Sequence, residues 1–215
     1  MPDAGDVISD LRTGRSGPSA RLLGGAVACL LALVLTCVVF VWTPGGQRLD
    51  QRFLPERPRS EVLFGLARHV LAYLGDTVVL AGLVAGVFVV GALTGRIRGA
   101  LAGTAVIGCS LAGAQLLKLL VSRPDLDVGG STTHNSFPSG HVAVAAAVVL
   151  AFLLVLPARA RWWCAVPGAA AVAVVAAATM IVGWHRLSDT LGAVFLATAL
   201  ACFAAALTGE GRSGM

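Results

Sequence analysis

Ser136-Phe137-Pro138-Ser139-Gly140-His141 runs straight into VAVAAAVVLAFLLVL, residues 142–156. A polar, glycine-containing loop becomes an apolar run with no intervening charge. The run reads as a membrane helix and the loop as its mouth. A helix start presents unpaired N–H groups and the positive end of the dipole, which suits an anion. His141 adds a proton donor there, and an ionisable residue at a membrane helix is a functional hypothesis by default.

Reading outward, the same pattern recurs. The chain has 215 residues, 57% of them apolar and 13% charged, against roughly 25% charge in soluble domains. An ordinary soluble domain is excluded. Six apolar spans are expected, at about 22–42, 77–94, 100–121, 141–156, 163–183 and 191–207. The fold class is therefore all-α: an integral membrane bundle of six transmembrane helices. The first span is too long for a signal-peptide core and no small-residue cleavage site follows it, so it reads as uncleaved. Residues 1–20 read as a cytoplasmic disordered tail, 21–208 as one membrane domain and 209–215 as a second cytoplasmic tail.

Between the first two spans, Leu63, Leu66, Val70, Leu71 and Leu74 recur at helical spacing. They predict a helix lying in the interface, or one packed between the two spans. Cys29, Cys37, Cys109, Cys164 and Cys202 all sit inside apolar runs and read as small buried hydrophobes. Small residues are so frequent in the spans that no packing motif singles out an oligomer. No nucleic-acid partner is expected; the partners are the bilayer and its lipids.

The net charge of +5 comes almost wholly from arginine, and Lys118 is the only lysine. The short turns holding Arg96 with Arg98 and Arg159 with Arg161 favour both termini inside. By raw count of cations the inner and outer segments tie, and the inner side leads only if Lys118, Arg123 and Arg186 are set aside as site residues. The expected setting is a bacterial plasma (inner) membrane.

Three polar clusters then share the outer face: Lys118 with Arg123-Pro124, residues 136–141, and His185-Arg186-Leu187-Ser188-Asp189. Two crossings separate the second from the third, so they share a side whichever way up the protein sits. Lys118 and Arg123 alone could be snorkelling cations. Ser139 and Gly140 alone could be an N-cap and a turn. If helix begins at His185, then His185 and Asp189 lie on one face, and the aspartate orients the imidazole. Asp189 is the only acid between Asp127 and Glu210. Together, two cations, a helix start, two histidines and an aspartate suit phosphoryl transfer. One histidine attacks phosphorus and the other handles the proton. That chemistry needs no metal or other cofactor.

At these residues the chain resembles the type 2 phosphatidic acid phosphatase superfamily, membrane lipid phosphatases related to the vanadium haloperoxidases. Pro138-Ser139-Gly140-His141 matches its second signature in full, and His185 to Asp189 matches the end of its third. The resemblance implies that His185 is the nucleophile, Asp189 its orienting partner and His141 the general acid. It implies that Lys118, Arg123, Ser139 and Gly140 hold phosphate. The first and third signatures are variants. Arg123 follows Lys118 by five residues where the family has seven; the positions seven and eight along are Asp125 and Leu126 here. Ala178-Thr179 stands where the family has Ser-Arg, so a phosphate-binding arginine is missing. Arg186, His134 and Asn135 are the auxiliary candidates to replace it, although a neighbour of His185 on a helix would point about 100° away.

The expected activity is hydrolysis of a lipid phosphate (phosphatidic acid, phosphatidylglycerol phosphate, or a polyprenyl phosphate or diphosphate) at the extracytoplasmic leaflet. A catalytically impaired lipid-binding or transport-associated protein on the same scaffold is the alternative, favoured by Thr179. A metal hydrolase using His134, His141, His185, Asp125 and Asp127 is disfavoured. Those spacings fit no helical two-histidine motif, and adjacent cations would repel the ion.

Overall fold

Eight helices and no strand form among the described residues, 17–54 and 60–209 of the computed structural model. They are α1 (Pro18–Trp42), α2 (Pro44–Arg52), α3 (Glu61–Leu74), α4 (Thr77–Leu93), α5 (Ile97–Leu120), α6 (Gly140–Val155), α7 (Ala158–Ile181) and α8 (Leu187–Thr208). Every expected apolar span is a helix. Four of the six, α1, α5, α7 and α8, begin three to five residues before the expected start. The reason is common to all: a polar first turn is helical without being apolar, so hydropathy registers only the part a bilayer would cover. Thus α1 takes in residues 18–20 of the stretch read as a tail. Residues 1–16 of that tail and residues 210–215 lie outside the described residues.

α1, α5, α7 and α8 are each long and apolar enough to cross a membrane. α3 and α4 pass the same test only as a pair, bent by 57° at Gly75-Asp76, so the described residues hold four candidate spans, or five if that pair is one span. The bend has a local cause: the Asp76 carboxylate caps α4, accepting from Val78 N (2.7 Å) and Val79 N (3.2 Å). α6 has 16 residues, about 24 Å at 1.5 Å per residue, against a hydrocarbon core of about 30 Å. The chain is a multi-pass membrane protein.

α6 is the central helix, packed against α4, α5, α7 and α8. Val142, Ala143, Ala147, Ala151 and Val155 along it are fully buried. Small residues let it sit close: a Cβ built on Gly103 of α5 would fall 2.8 Å from the Ala151 Cβ. α8 packs on α1, α5 and α6. The outward faces are apolar, with Leu31, Val34, Leu35, Leu119 and Leu120 exposed. Trp162 and Trp163 are exposed at one end, and Trp42 and Trp184 at the other, the placement of membrane-interface belts.

The helical spacing at 63–74 produces α3, as expected. It packs on α7 and buries Ala67 and Leu71, so it is a packing element joined to α4. The short α2 was not anticipated. Thr43 caps it, accepting from Gly46 N at 3.0 Å, and it turns Gln47 and Asp50 into the protein, both fully buried.

Candidate active site

The loop 121–139, the start of α6, the 182–186 turn and α2 meet at one end of the bundle. Phe137 anchors the loop. Its ring is buried against Gly192 of α8, where any Cβ would overlap it. Asn135 holds the approach, its side chain accepting from Phe137 N (3.1 Å) and donating to Phe137 O (3.2 Å) and Lys118 O (3.4 Å). Ser139 then caps α6, its hydroxyl accepting from Val142 N at 3.5 Å. Its own N–H donates to Asp189 O at 2.9 Å. The N–H groups of Gly140 and His141 stand in the first turn, where donors lack intrahelical acceptors.

Asp189 is the hub. It is fully buried, and Oδ2 accepts from Ser136 Oγ (2.6 Å), Arg186 N (2.8 Å) and His185 Nδ1 (3.3 Å). The helix α8 starts at Leu187, so His185 lies in the preceding turn and the pair does not share a helical face. They meet because Asp189, the third residue of α8, reaches back over the helix start as a capping carboxylate. With Nδ1–H directed at Asp189, the His185 Nε2 lone pair is left free. Trp184 and His185 are held in turn by Thr179 O, at 3.0 and 3.3 Å from their N–H groups.

A cavity of about 850 Å³ opens beside this hub. Gln115, Lys118, His134, Asn135, Ser136, Gly140, His141 and His185 form its polar side. Leu74, Leu80, Leu111, Leu119 and Val144 form an apolar wall. Lys118 Nζ lies close to Gly140, 3.8 Å from where a Cβ would sit. His141 packs on Trp184 with ring centroids 5.8 Å apart. Its Nε2 faces the α3–α4 bend, 3.4 Å from a Cβ built on Gly75. A smaller cavity of about 170 Å³ adjoins it, lined by Thr132, His134, Ser136, His185 and Arg186 among others.

Residues 99–212 match the family model of the PAP2 superfamily. The chain belongs to the PAP2 superfamily. A solved structure with the same fold is the first transmembrane PAP2 type phosphatidylglycerolphosphate phosphatase from Bacillus subtilis. It superposes with a TM-score of 0.67 at 19% identity, over 87% of this chain and 96% of that one. No curated protein sequence matches the chain.

Lys118, Gly140, His141 and His185 of this PAP2 protein line one cavity, and Asp189 stands directly behind His185. Ser139 and Arg123 are buried and line neither cavity. Arg123 donates from Nη2 to Ser131 Oγ (3.4 Å), and its Nε has no partner. Burial, and then the neighbouring Arg186 charge, pull the Arg123 guanidinium below its ordinary value. Thr179 is fully buried and serves as backbone acceptor for the histidine turn. Arg186 corrects a sequence argument. It is the N-cap of α8 with extended backbone (φ −91°, ψ 169°), so the 100° helical step from His185 does not apply. Its side chain lies along the loop, donating to Ser136 Oγ (3.2 Å) and Thr132 Oγ1 (3.4 Å). His134 lines both cavities.

Sequence reasoning missed α2. Asp50 accepts from Ser188 N at 3.0 Å and from the Ser188 hydroxyl. Burial pushes its carboxyl above the usual carboxylate range, against the pull of those bonds. Gln51 accepts from Arg186 Nε (3.1 Å) and donates to Gly130 O. Gln47 accepts from Ser131 Oγ (2.9 Å). The available signal was Gln47, Asp50 and Gln51 at i, i+3 and i+4 after a Thr-Pro helix start, one polar face beside a membrane.

Proposed function

We propose that this chain is a membrane lipid phosphatase that hydrolyses a lipid phosphomonoester or polyprenyl diphosphate at the extracytoplasmic leaflet. The single observation that carries this reading is the large cavity itself. It has three imidazoles (His134, His141 and His185) and an ammonium on one wall and leucines on the other, as a phosphate on a lipid chain requires. In the proposed reaction His185 Nε2 attacks phosphorus. The P–N bond forms as the P–O bond to the lipid breaks, and the leaving oxygen takes a proton from His141. Water then attacks phosphorus and gives its proton to His141. The P–N bond breaks, its electron pair returns to Nε2, and phosphate leaves. Asp189 stabilises the positive imidazole throughout. Lys118 and the first-turn N–H groups of Gly140 and His141 balance charge on the phosphate oxygens, with Ser139 capping that turn and the buried Arg123 adding its charge from outside the cavity, so no step calls for a metal.

In this reading 21–208 is the phosphatase domain of six spans, including the short α6, with both termini cytoplasmic in a bacterial inner membrane. The similar structure is of a phosphatidylglycerolphosphate phosphatase, which makes phosphatidylglycerol phosphate the first substrate to try. A panel of phosphorylated lipids tests the proposal by phosphate release. Activity should survive chelator, be blocked by vanadate and vanish in His185→Ala while that variant still folds. Undiminished turnover in His185→Ala would sink the mechanism. The missing arginine at Thr179 favours the alternative, a lipid-binding protein without turnover, and the same panel separates the two.

A further inference from the structure

Thr179 stands where the resemblance implies a phosphate-binding arginine, and the Arg186 guanidinium lines the smaller cavity together with His185. Arg186 is buried, 6% exposed, on the wall of the smaller cavity. That cavity shares His134, Ser136, Trp184 and His185 with the larger one. A water occupies about 30 Å³ of liquid, so about 170 Å³ has room for a phosphate group. Gln51, Ser136 and Thr132 take three of the five N–H donors a guanidinium carries. All three acceptors are neutral. A buried cation served only by neutral acceptors is a costly arrangement unless an anion completes it. Arg123, close enough to feel the Arg186 charge, has the same character, with one hydroxyl partner and an orphaned Nε. Lys118, Arg123 and Arg186 thus face two buried carboxylates. Neither carboxylate pairs directly with a guanidinium or the ammonium: Asp50 bonds to Ser188, and Asp189 accepts on Oδ2 alone from His185, Ser136 and the Arg186 backbone. The local balance calls for a further negative group.

The aim of Arg186 is set from far away in sequence. Gln51 clamps its Nε and ties itself to Gly130 O, while Asp50 fixes the next turn through Ser188. Both residues belong to α2, outside the family match at 99–212.

We propose that Arg186 supplies the phosphate-binding guanidinium missing at Thr179, and that Gln51 is the positioning residue that aims it. This rests on the phosphatase reading for its substrate, but the anion site is testable apart from turnover. Full-length protein in nanodiscs is titrated with orthovanadate and inorganic phosphate by calorimetry, with thermal unfolding of each variant alongside. Arg186→Gln should weaken vanadate binding by roughly 10- to 100-fold, the scale of a lost charged hydrogen bond. Arg186→Lys should restore part of it. Gln51→Met should weaken binding less, and the double variant should bind no more weakly than Arg186→Gln alone, because Gln51 acts through Arg186. Additive losses would assign Gln51 a merely structural role. Vanadate binding by folded Arg186→Gln equal to wild type, or none by wild type, overturns the clamp. If Arg186→Gln does not fold, Arg186→Lys and Gln51→Met carry the test by the same criterion. Arg186-dependent vanadate binding without phosphate release from any lipid would leave the clamp standing and refute the phosphatase reading. Phosphate release with unchanged kcat/KM in Arg186→Gln would do the reverse.

Discussion

Replacing Asp189 by asparagine keeps the shape of the hub and removes its charge. In the wild type one oxygen, Oδ2, accepts from Ser136, His185 and Arg186, while Oδ1 is buried without a partner. Asparagine must keep its oxygen on the Oδ2 side, because an amide N–H there would face three donors. Its NH₂ then occupies the orphaned Oδ1 position and stays unpaired. Each bond to a charged acceptor exceeds a neutral one by about 1 kcal/mol, and an unpaired buried donor adds about 1–3 kcal/mol. The bonds share one atom and are not additive, so a loss of about 3–5 kcal/mol is expected, against typical stabilities of about 5–15 kcal/mol. The protein should fold with a clearly lowered Tm. Under the proposed mechanism the phosphorylated imidazole also loses its counter-charge. Turnover should fall by about 10²- to 10⁴-fold, the upper figure being that for the same exchange in a serine protease triad. Phosphate release from lipid micelles and tryptophan-monitored melting measure the two effects separately. Near-wild-type kcat in folded Asp189→Asn would refute the orienting role. An unchanged Tm would refute the account of the hub.

Two further predictions concern the supports of the site. Burial raises the Asp50 carboxyl, so its contribution to stability is full below the unfolded value of about 4 and is lost as pH rises through the folded value. Asp50→Asn stays neutral, so its stability relative to wild type should improve as pH rises over that window, as unfolding at several pH values would reveal; a pH-independent difference would contradict this. Gly192→Ala places a methyl into the buried Phe137 ring. The overpacking should cost about 1–3 kcal/mol and shift the 136–139 loop. Phosphate release should fall more than it does for Gly108→Ala, where a Cβ meets only open space.

The apolar helices, their order and the one end of the bundle shared by the polar clusters were legible in the sequence. Each depends on local composition: a bilayer span must be apolar over its length, and the parity of crossings assigns the ends to sides. Pro138 to His141 and His185 to Asp189 were legible because their chemistry is carried by neighbours in the chain. The direction of Arg186 was not, because the helix begins one residue after it and so frees it from helical geometry. Nor was the turning of Ser139 and Arg123 away from the cavity. The role of α2 was the least legible, since Gln51 and Asp50 meet partners 135 and 138 residues away. Such bonds follow no periodicity; they exist because buried polar groups must find acceptors wherever the packed helices bring them. The sequence by itself determined that two histidines, an aspartate and a lysine come to one end of a membrane bundle. Only the tertiary structure decided which guanidinium stands beside them and which segment holds it there.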